Sequence, residues 1–273
     1  MSSVLDAVMS AIPTSLIYRL QDNPLVANAI RSVVNLAVPN ELTDVTVAKG
    51  PMRGSRLSLD LRKEKAFWLG TYEPDVQRVL CERLRLGAIA WDVGAFIGYH
   101  TLLMCRLCGP ANVVAVEPDP DSMVRLRNNL SLNNIRDARL VTVALGSHVG
   151  RGVLRKDALD RRQNIVEEVV ETKRDEMKEL QVAVKTLDFL LKTYGPPTLI
   201  KADVEGAEDL MLQGATRLLE EVKPFWILEA HGRRGHNAIE MLREKGYGIT
   251  YLRKEPESEA DLSSGQSHVM AEP

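Results

Sequence analysis

Asp92-Val-Gly-Ala-Phe-Ile-Gly98 joins an apolar, β-branched run to a helical pattern. Gly94 and Gly98 let the backbone turn sharply and approach a bound group where a Cβ would stand in the way. Open α/β sheets bind their ligands at such turns, beyond the carboxyl ends of the strands. The spacing is G-x-x-x-G; the G-x-G-x-x-G dinucleotide fingerprint and the lysine-bearing phosphate loop are both missing. Asp92 disfavours a phosphate here and suits a ligand carrying an ammonium or sulfonium charge. Glu117 ends the next apolar run, nineteen residues past Gly98, where an acid can accept two hydrogen bonds from a ribose diol. In order on consecutive strands, the two acids point to a nucleoside ligand.

A second group of acids follows. Asp203-Val-Glu-Gly-Ala-Glu208 closes another apolar run. Side chains two apart share a face of an extended segment, so Asp203 and Glu205 face the crevice together. Two carboxylates this close need a cation or a shared proton: a positively charged ligand, Lys201 or a divalent metal. His231, after the next run, can accept a proton at neutral pH. Glu229 could join Asp203 around a hard ion, but no compact metal-ligand motif occurs and no metal is expected. Glu208 suits the first turn of a helix through the helix dipole. Cys105 and Cys108 lie near the end of their helix, away from the N-terminus where a dipole activates a thiol, and read as packing. His100 is left unassigned.

Strands are expected at 88–93, 112–117, 139–144, 198–203, 225–230 and 247–252, with a short last strand at 268–271. Helices are expected at 99–108, 121–133, 207–219 and 237–245, the second capped by Asp119 or Asp121. This alternation implies a parallel sheet covered on both faces. Residues 145–180 read as an irregular, charged insertion with β-like patches at 152–155 and 165–170. Residues 43–60 read as a hairpin around Gly50-Pro51 and Gly54. The first 40 residues read as a helical appendage cut by prolines. Glu255, Glu257, Glu259 and Asp261 read as a solvated acidic loop.

The chain has 273 residues, with 35 basic against 37 acidic side chains. That balance argues against electrostatic nucleic-acid binding. Three cysteines are too few for a disulfide scaffold. A secretory signal and a membrane span are not expected, and a cytoplasmic location is.

Four stretches carry a family resemblance: Gly70-Thr-Tyr-Glu-Pro-Asp-Val76, Asp92-Val-Gly-Ala-Phe-Ile-Gly-Tyr-His-Thr101, Val113-Val-Ala-Val-Glu-Pro-Asp119 and Leu199-Ile-Lys-Ala-Asp-Val-Glu-Gly-Ala-Glu208. Ala144-Leu-Gly146 and Leu228-Glu-Ala-His-Gly232 also fit in order. The chain resembles S-adenosylmethionine-dependent methyltransferases, and more narrowly the FkbM family. The resemblance implies an α/β, Rossmann-like class I methyltransferase fold: a seven-stranded, mostly parallel sheet with its last strand antiparallel. An N-terminal helical and hairpin extension (1–65) would precede a methyltransferase domain (66–273).

Carried over by position, Asp92, Gly94, Ala95 and Gly98 would line the methionine part of S-adenosyl-L-methionine, and Glu117 its ribose. Phe96 and Pro118 belong to the same stretches and are counted with the site. Ala144 would sit by the adenine. Tyr72 and Glu73 would lie in a lead-in segment over the cofactor, or simply start a helix at Pro74. Asp203 would touch both cofactor and acceptor, and Glu205 and His231 would join it in catalysis. The implied reaction is O-methylation of a small-molecule, sugar or glycoside hydroxyl, which must lose its proton to a carboxylate, histidine or metal-bound base. A nicotinamide-dependent oxidoreductase is disfavoured by the missing fingerprint. A non-catalytic nucleoside-binding domain is disfavoured by the intact acids. The oligomeric state and the acceptor itself are not legible.

Overall fold

The computed structural model describes residues 41–157, 163–166, 177–252 and 265–273. Thr43–Thr46 (β1) and Arg56–Leu59 (β2) pair antiparallel as the expected hairpin, followed by Lys65–Leu69 (α1) and Pro74–Arg83 (α2). Strand and helix then alternate through Ala90–Val93 (β3), Tyr99–Cys108 (α3), Val113–Val116 (β4), Pro120–Leu132 (α4) and Arg139–Val141 (β5). Ala144–Leu145 (β6), Gly150–Asp157 (β7), Gln163–Val166 (β8) and Met177–Lys185 (β9) intervene. Leu187–Tyr194 (α5), Leu199–Asp203 (β10), Glu208–Gln213 (α6), Phe225–His231 (β11), Gly232–Glu244 (α7), Gly248–Tyr251 (β12) and Gln266–Glu272 (β13) complete the chain.

Seven strands form one sheet in the order β12-β13-β11-β10-β3-β4-β5. The neighbours from β11 to β5 pair parallel, and β13 inserts antiparallel between β11 and β12. This is the Rossmann-like class I arrangement that the resemblance implies. The chain winds outward from β3 in one direction and from β10 in the other, so a switch point lies between these two central strands. Their carboxyl ends are where a ligand belongs.

Alternate residues of each strand feed opposite faces of the sheet. Ala90, Val113, Ala115, Leu199 and Ile227 join the core that holds Leu80, Leu103 and Leu126. Trp91, Val114, Val116, Ile200, Trp226 and Leu228 join the other, with Met211 and Leu242. Leu57 and Leu59 of the hairpin belong to the first core. The Ser58 N–H donates to Asn129 Oδ1 (2.7 Å), and Asn129 Nδ2 donates to the Ile97 carbonyl (2.8 Å). The hairpin thus braces the loop between β3 and α3.

Several boundaries differ from expectation. The strand expected at 139–144 stops at Val141, and Ala144–Leu145 pairs instead with Val184–Lys185. The insertion is a second sheet, in the order β6-β9-β7-β8, rather than irregular chain. The patches at 152–155 and 165–166 fall on β7 and β8, whereas β9 escaped notice because its apolar residues are interleaved with charges. The helix expected at 207–219 breaks at Gly214, where a Cβ would lie 2.2 Å from the Gly146 carbonyl oxygen. The chain resumes as a wide turn at Leu218–Val222, its entry capped by Asp188, which accepts from the Arg217 and Leu218 N–H groups. Helix α7 starts five residues earlier than expected. Asp119, rather than Asp121, caps α4. Cys105 and Cys108 are buried thiols without a disulfide, as expected of packing residues. The N-terminal appendage, residues 167–170 and the acidic loop lie outside the described residues. Among the described residues, no helix is long and apolar enough to cross a membrane.

Candidate active site

A cavity of about 350 Å³ opens at the carboxyl ends of β3, β4 and β10. Of the residues singled out in the sequence, Tyr72, Gly94, Phe96, Glu117, Pro118, Ala144, Asp203 and Glu205 line it. Glu73, Asp92, Ala95, Gly98 and His231 are not on its wall. Sequence reading missed Lys63, Glu64 and Phe67 from the lead-in, and Val143, Leu145, Leu154 and Val204. Leu154 shows that the inserted sheet supplies part of the wall.

The β3–β4 side of the cavity is held by backbone geometry. Gly94 has φ +74°, and a Cβ there would lie 1.6 Å from the Asp203 carbonyl oxygen, so the glycine loop and the acidic loop touch. Glu117 Oε2 accepts the Phe96 N–H and Oε1 the Asp119 N–H, each at 2.8 Å. These bonds fix the carboxylate and leave lone pairs for further donors. Burial pushes Glu117 up to about 7 despite both bonds. Val143, Ala144, Leu145 and Leu154 give an apolar slot. Arg125 grips Glu64 through two bonds (3.0 and 2.6 Å), with its guanidinium 5.8 Å from the Phe96 ring centroid.

Asp92 does not reach the ligand space as expected. It is buried beneath the loop, where Oδ2 accepts from the Thr101 hydroxyl at 2.6 Å and so pins the first turn of α3. Burial raises its pKa, opposed by Lys201 and Thr101. Ala95 is also buried. Gly98 has φ +84° and meets Leu126, 2.9 Å from where its Cβ would be, so a side chain there would collide with α4. Tyr72 reaches the wall and packs on Phe67, ring centroids 4.1 Å apart. Glu73 starts α2 with φ +43°, and its Oε2 lies 3.7 Å from His100 Nε2 and 3.9 Å from His268 Nε2.

Charge concentrates on the other side, at the ends of β10 and β11. Buried Lys201 lies 3.3 Å from Asp203 Oδ2. Burial alone would lower its pKa, but Asp203, Glu73, Asp92 and Glu229 raise it overall. Asp203 is held well above the usual carboxylate range by burial and by Glu229, Glu205 and Glu73, against Lys201. The antiparallel β13 sets His268 opposite Glu229, with Nε2 3.1 Å from Oε2. Burial would raise Glu229, but bonds from His231 and His268 and the Lys201 charge lower it overall.

His231 Nδ1 lies 2.7 Å from Oε1 of fully buried Glu208, and Nε2 lies 3.4 Å from both Glu205 Oε2 and Glu229 Oε1. Burial works against its protonation, yet Glu208, Glu229 and Asp203 outweigh it and raise the pKa to about 11. Unless a further cation joins them, these carboxylates favour the protonated ring, which works against the proton-acceptor role expected from its usual pKa. Glu208 stands in the first turn of α6, as read, and its carboxylate also anchors that ring. Contacts between β10, β11 and β13 are tertiary, so local spacing could not reveal them.

The sheet order and a cavity at its switch point define a class I methyltransferase architecture. The sequence matches the Methyltransferase FkbM domain over residues 92–249, and the chain belongs to this family, whose methyl donor is S-adenosylmethionine. It is 31% identical over 163 residues to hexuronic acid methyltransferase AglP from Haloferax volcanii, covering 58% of this chain and 62% of that protein. The match thus spans less than two thirds of that relative. Among solved structures, the chain is similar to methyltransferase FkbM from Methylobacillus flagellatus KT, with 19% identity, TM-score 0.46, and coverage of 79% of this chain and 56% of that one. It is also similar to precorrin-6y C5,15-methyltransferase from Geobacter metallireducens GS-15, with 15% identity, TM-score 0.47, and coverage of 74% and 90%.

The residues present fit the cofactor. The cavity is within the usual range for small-molecule sites, about 300–1,000 Å³. Gly94 leaves the backbone bare, Glu117 offers a fixed carboxylate for ribose hydroxyls, and the apolar slot suits a flat base.

Proposed function

We propose that the chain methylates a hydroxyl group of a sugar acceptor of the hexuronic acid class. The carrying observation is one cavity that joins the Glu117 ribose site to the Asp203–Glu205 carboxylate pair. The AglP relative supports the acceptor class. Lys63 on the wall supplies a cation complementary to a uronate carboxylate.

When bound, S-adenosylmethionine supplies an electrophilic methyl carbon on a positively charged sulfur. Gly94, Phe96, Glu117, Pro118 and Ala144 would hold its nucleoside and the start of its methionine chain. Asp203 and Tyr72 would border the sulfonium, where the Asp203 charge is favourable. The acceptor oxygen would take that methyl group, and the carbon–sulfur bonding pair would stay on sulfur. The hydroxyl proton passes to the Asp203–Glu205 carboxylates. Lys201 keeps these acids in place by its opposite charge, and Glu208 holds the His231 ring beside them. Positioning for in-line attack supplies much of the rate.

The test is incubation with methyl-labelled donor and a panel of hexuronic acid glycosides and neutral sugars, followed by mass spectrometry. Label in a methyl ether of a hexuronic acid is expected. Label only in a methyl ester, or in no sugar, would contradict the proposal.

A further inference from the structure

We propose that Asp203, Glu205 and His231 bind one divalent first-row transition-metal ion, of the zinc or manganese kind, at the carboxylate end of the cavity. One ligand atom from each of the three lies within 4.8 Å of the other two. Only the purpose of the ion, polarising the acceptor hydroxyl, rests on the reaction proposed above.

Distances carry the argument first. His231 Nε2 is 3.4 Å from Glu205 Oε2, longer than a charge-assisted hydrogen bond of about 2.7–2.9 Å. A tetrahedral ion with bonds of about 2.1 Å keeps its ligand atoms about 3.4 Å apart. The imidazole is also oriented as a ligand would be. A metal-bound histidine characteristically gives its other ring N–H to a carboxylate, and Nδ1 here faces Oε1 of Glu208, wholly buried, at 2.7 Å. That bond turns Nε2 toward the carboxylates, and an ion there would displace the Nε2 proton and take its lone pair.

Asp203 adds an independent observation. Its Oδ2 is turned to Lys201 at 3.3 Å, whereas its Oδ1 is buried with no hydrogen-bond partner. A buried carboxylate oxygen without a donor is costly, and an ion would satisfy it. Glu205 is held at φ +50°, a conformation that non-glycine residues adopt at a cost of about 1–3 kcal/mol and that clusters at functional sites.

An imidazole nitrogen among the donors favours first-row transition metals over magnesium or calcium, which prefer oxygen. Three protein ligands leave a position for a further ligand, as in catalytic zinc sites. Asp203 and Glu205 line the cavity, so that position opens where the acceptor enters, and an ion there polarises its hydroxyl. The ligands come from two strand ends, 28 positions apart in sequence between Asp203 and His231, so no compact motif announces them. The rival occupant of the same place is a proton on Nε2.

Chelator-treated protein, dialysed separately against zinc, manganese and magnesium and analysed for bound metal, tests the site. One zinc or manganese ion per chain is expected. Affinity should fall about 10- to 100-fold or more in Glu205→Gln, His231→Ala and Glu208→Gln, with S-adenosylhomocysteine affinity unchanged in His231→Ala. Chelation should abolish methyl transfer, and the added ion should restore it. No stoichiometric ion, an ion that all three variants retain, or a full transfer rate in chelator would each overturn the proposal. An ion lost in the variants, with no sugar methylated, would uphold the site and overturn the acceptor reading instead.

Discussion

The two ends of the cavity solve different physical problems. At the β3–β4 end, Glu117 faces the ligand space with one backbone N–H bonded to each carboxylate oxygen and a lone pair on each to spare. The rest is apolar wall and bare glycine backbone. At the β10–β11 end, Asp203, Glu205, Glu208 and Glu229 surround Lys201 and His231, and Oδ1 of Asp203 and Oε2 of Glu208 lack hydrogen-bond partners. The first end is finished before a ligand arrives. The second holds more negative charge than it balances and calls for a cation, whether sulfonium, metal or proton. Binding and chemistry are therefore separable by mutation.

Lys201→Met should have the largest effect. Removing one partner of a buried ion pair costs about 3–5 kcal/mol, and Lys201 offsets several buried acids. Chemical denaturation at neutral pH should show that loss; a change below about 1 kcal/mol would mean the acids share protons and need no lysine. Gly94→Val should come next, at about 3 kcal/mol from a strained φ and a backbone collision, with S-adenosylhomocysteine binding lost. Normal binding in that variant would break the claim that the two ends meet at this glycine.

Glu117→Ala should weaken S-adenosylmethionine by about 1.5–3 kcal/mol, the range for hydrogen bonds to a charged group, as calorimetry would show. The same residue gives the ligand-binding end a pH signature. Its folded pKa of about 7 lies above its unfolded value, so its contribution to stability is complete below the unfolded value and is lost as pH rises through 7. The apo melting temperature should fall over that window, and Glu117→Gln should flatten the fall. Cofactor affinity should run the opposite way, since ribose hydroxyls favour the carboxylate. Smallest of all, Lys63→Ala should raise the KM for an acidic acceptor by about 0.5–1 kcal/mol and leave kcat and neutral sugars unchanged.

The same contrast explains what could be read in advance. Gly94 and Glu117 announce themselves through local spacing on consecutive strands, and the alternation of apolar runs with helical patterns is enough for the sheet. Asp92 misled because strand position says which acid is near the loop but not that its side chain turns under it toward Thr101. The role of Glu208 depends on a ring from the neighbouring strand, and that of Glu229 on a histidine from a strand inserted 39 residues later. The second sheet escaped because one edge is only two residues long, Ala144–Leu145, and its partner β9 carries charges on its exposed face. Local periodicity reports local structure; a charge network assembled from three strands has no period.

Calorimetric titration of the metal-free wild-type chain with S-adenosylhomocysteine, alone and in excess NAD, tests the central claim most directly. One saturable site per chain is predicted, with the heat of binding unaffected by NAD. Absence of saturable binding, or its displacement by NAD, would contradict the assignment of this cavity to a methyl donor.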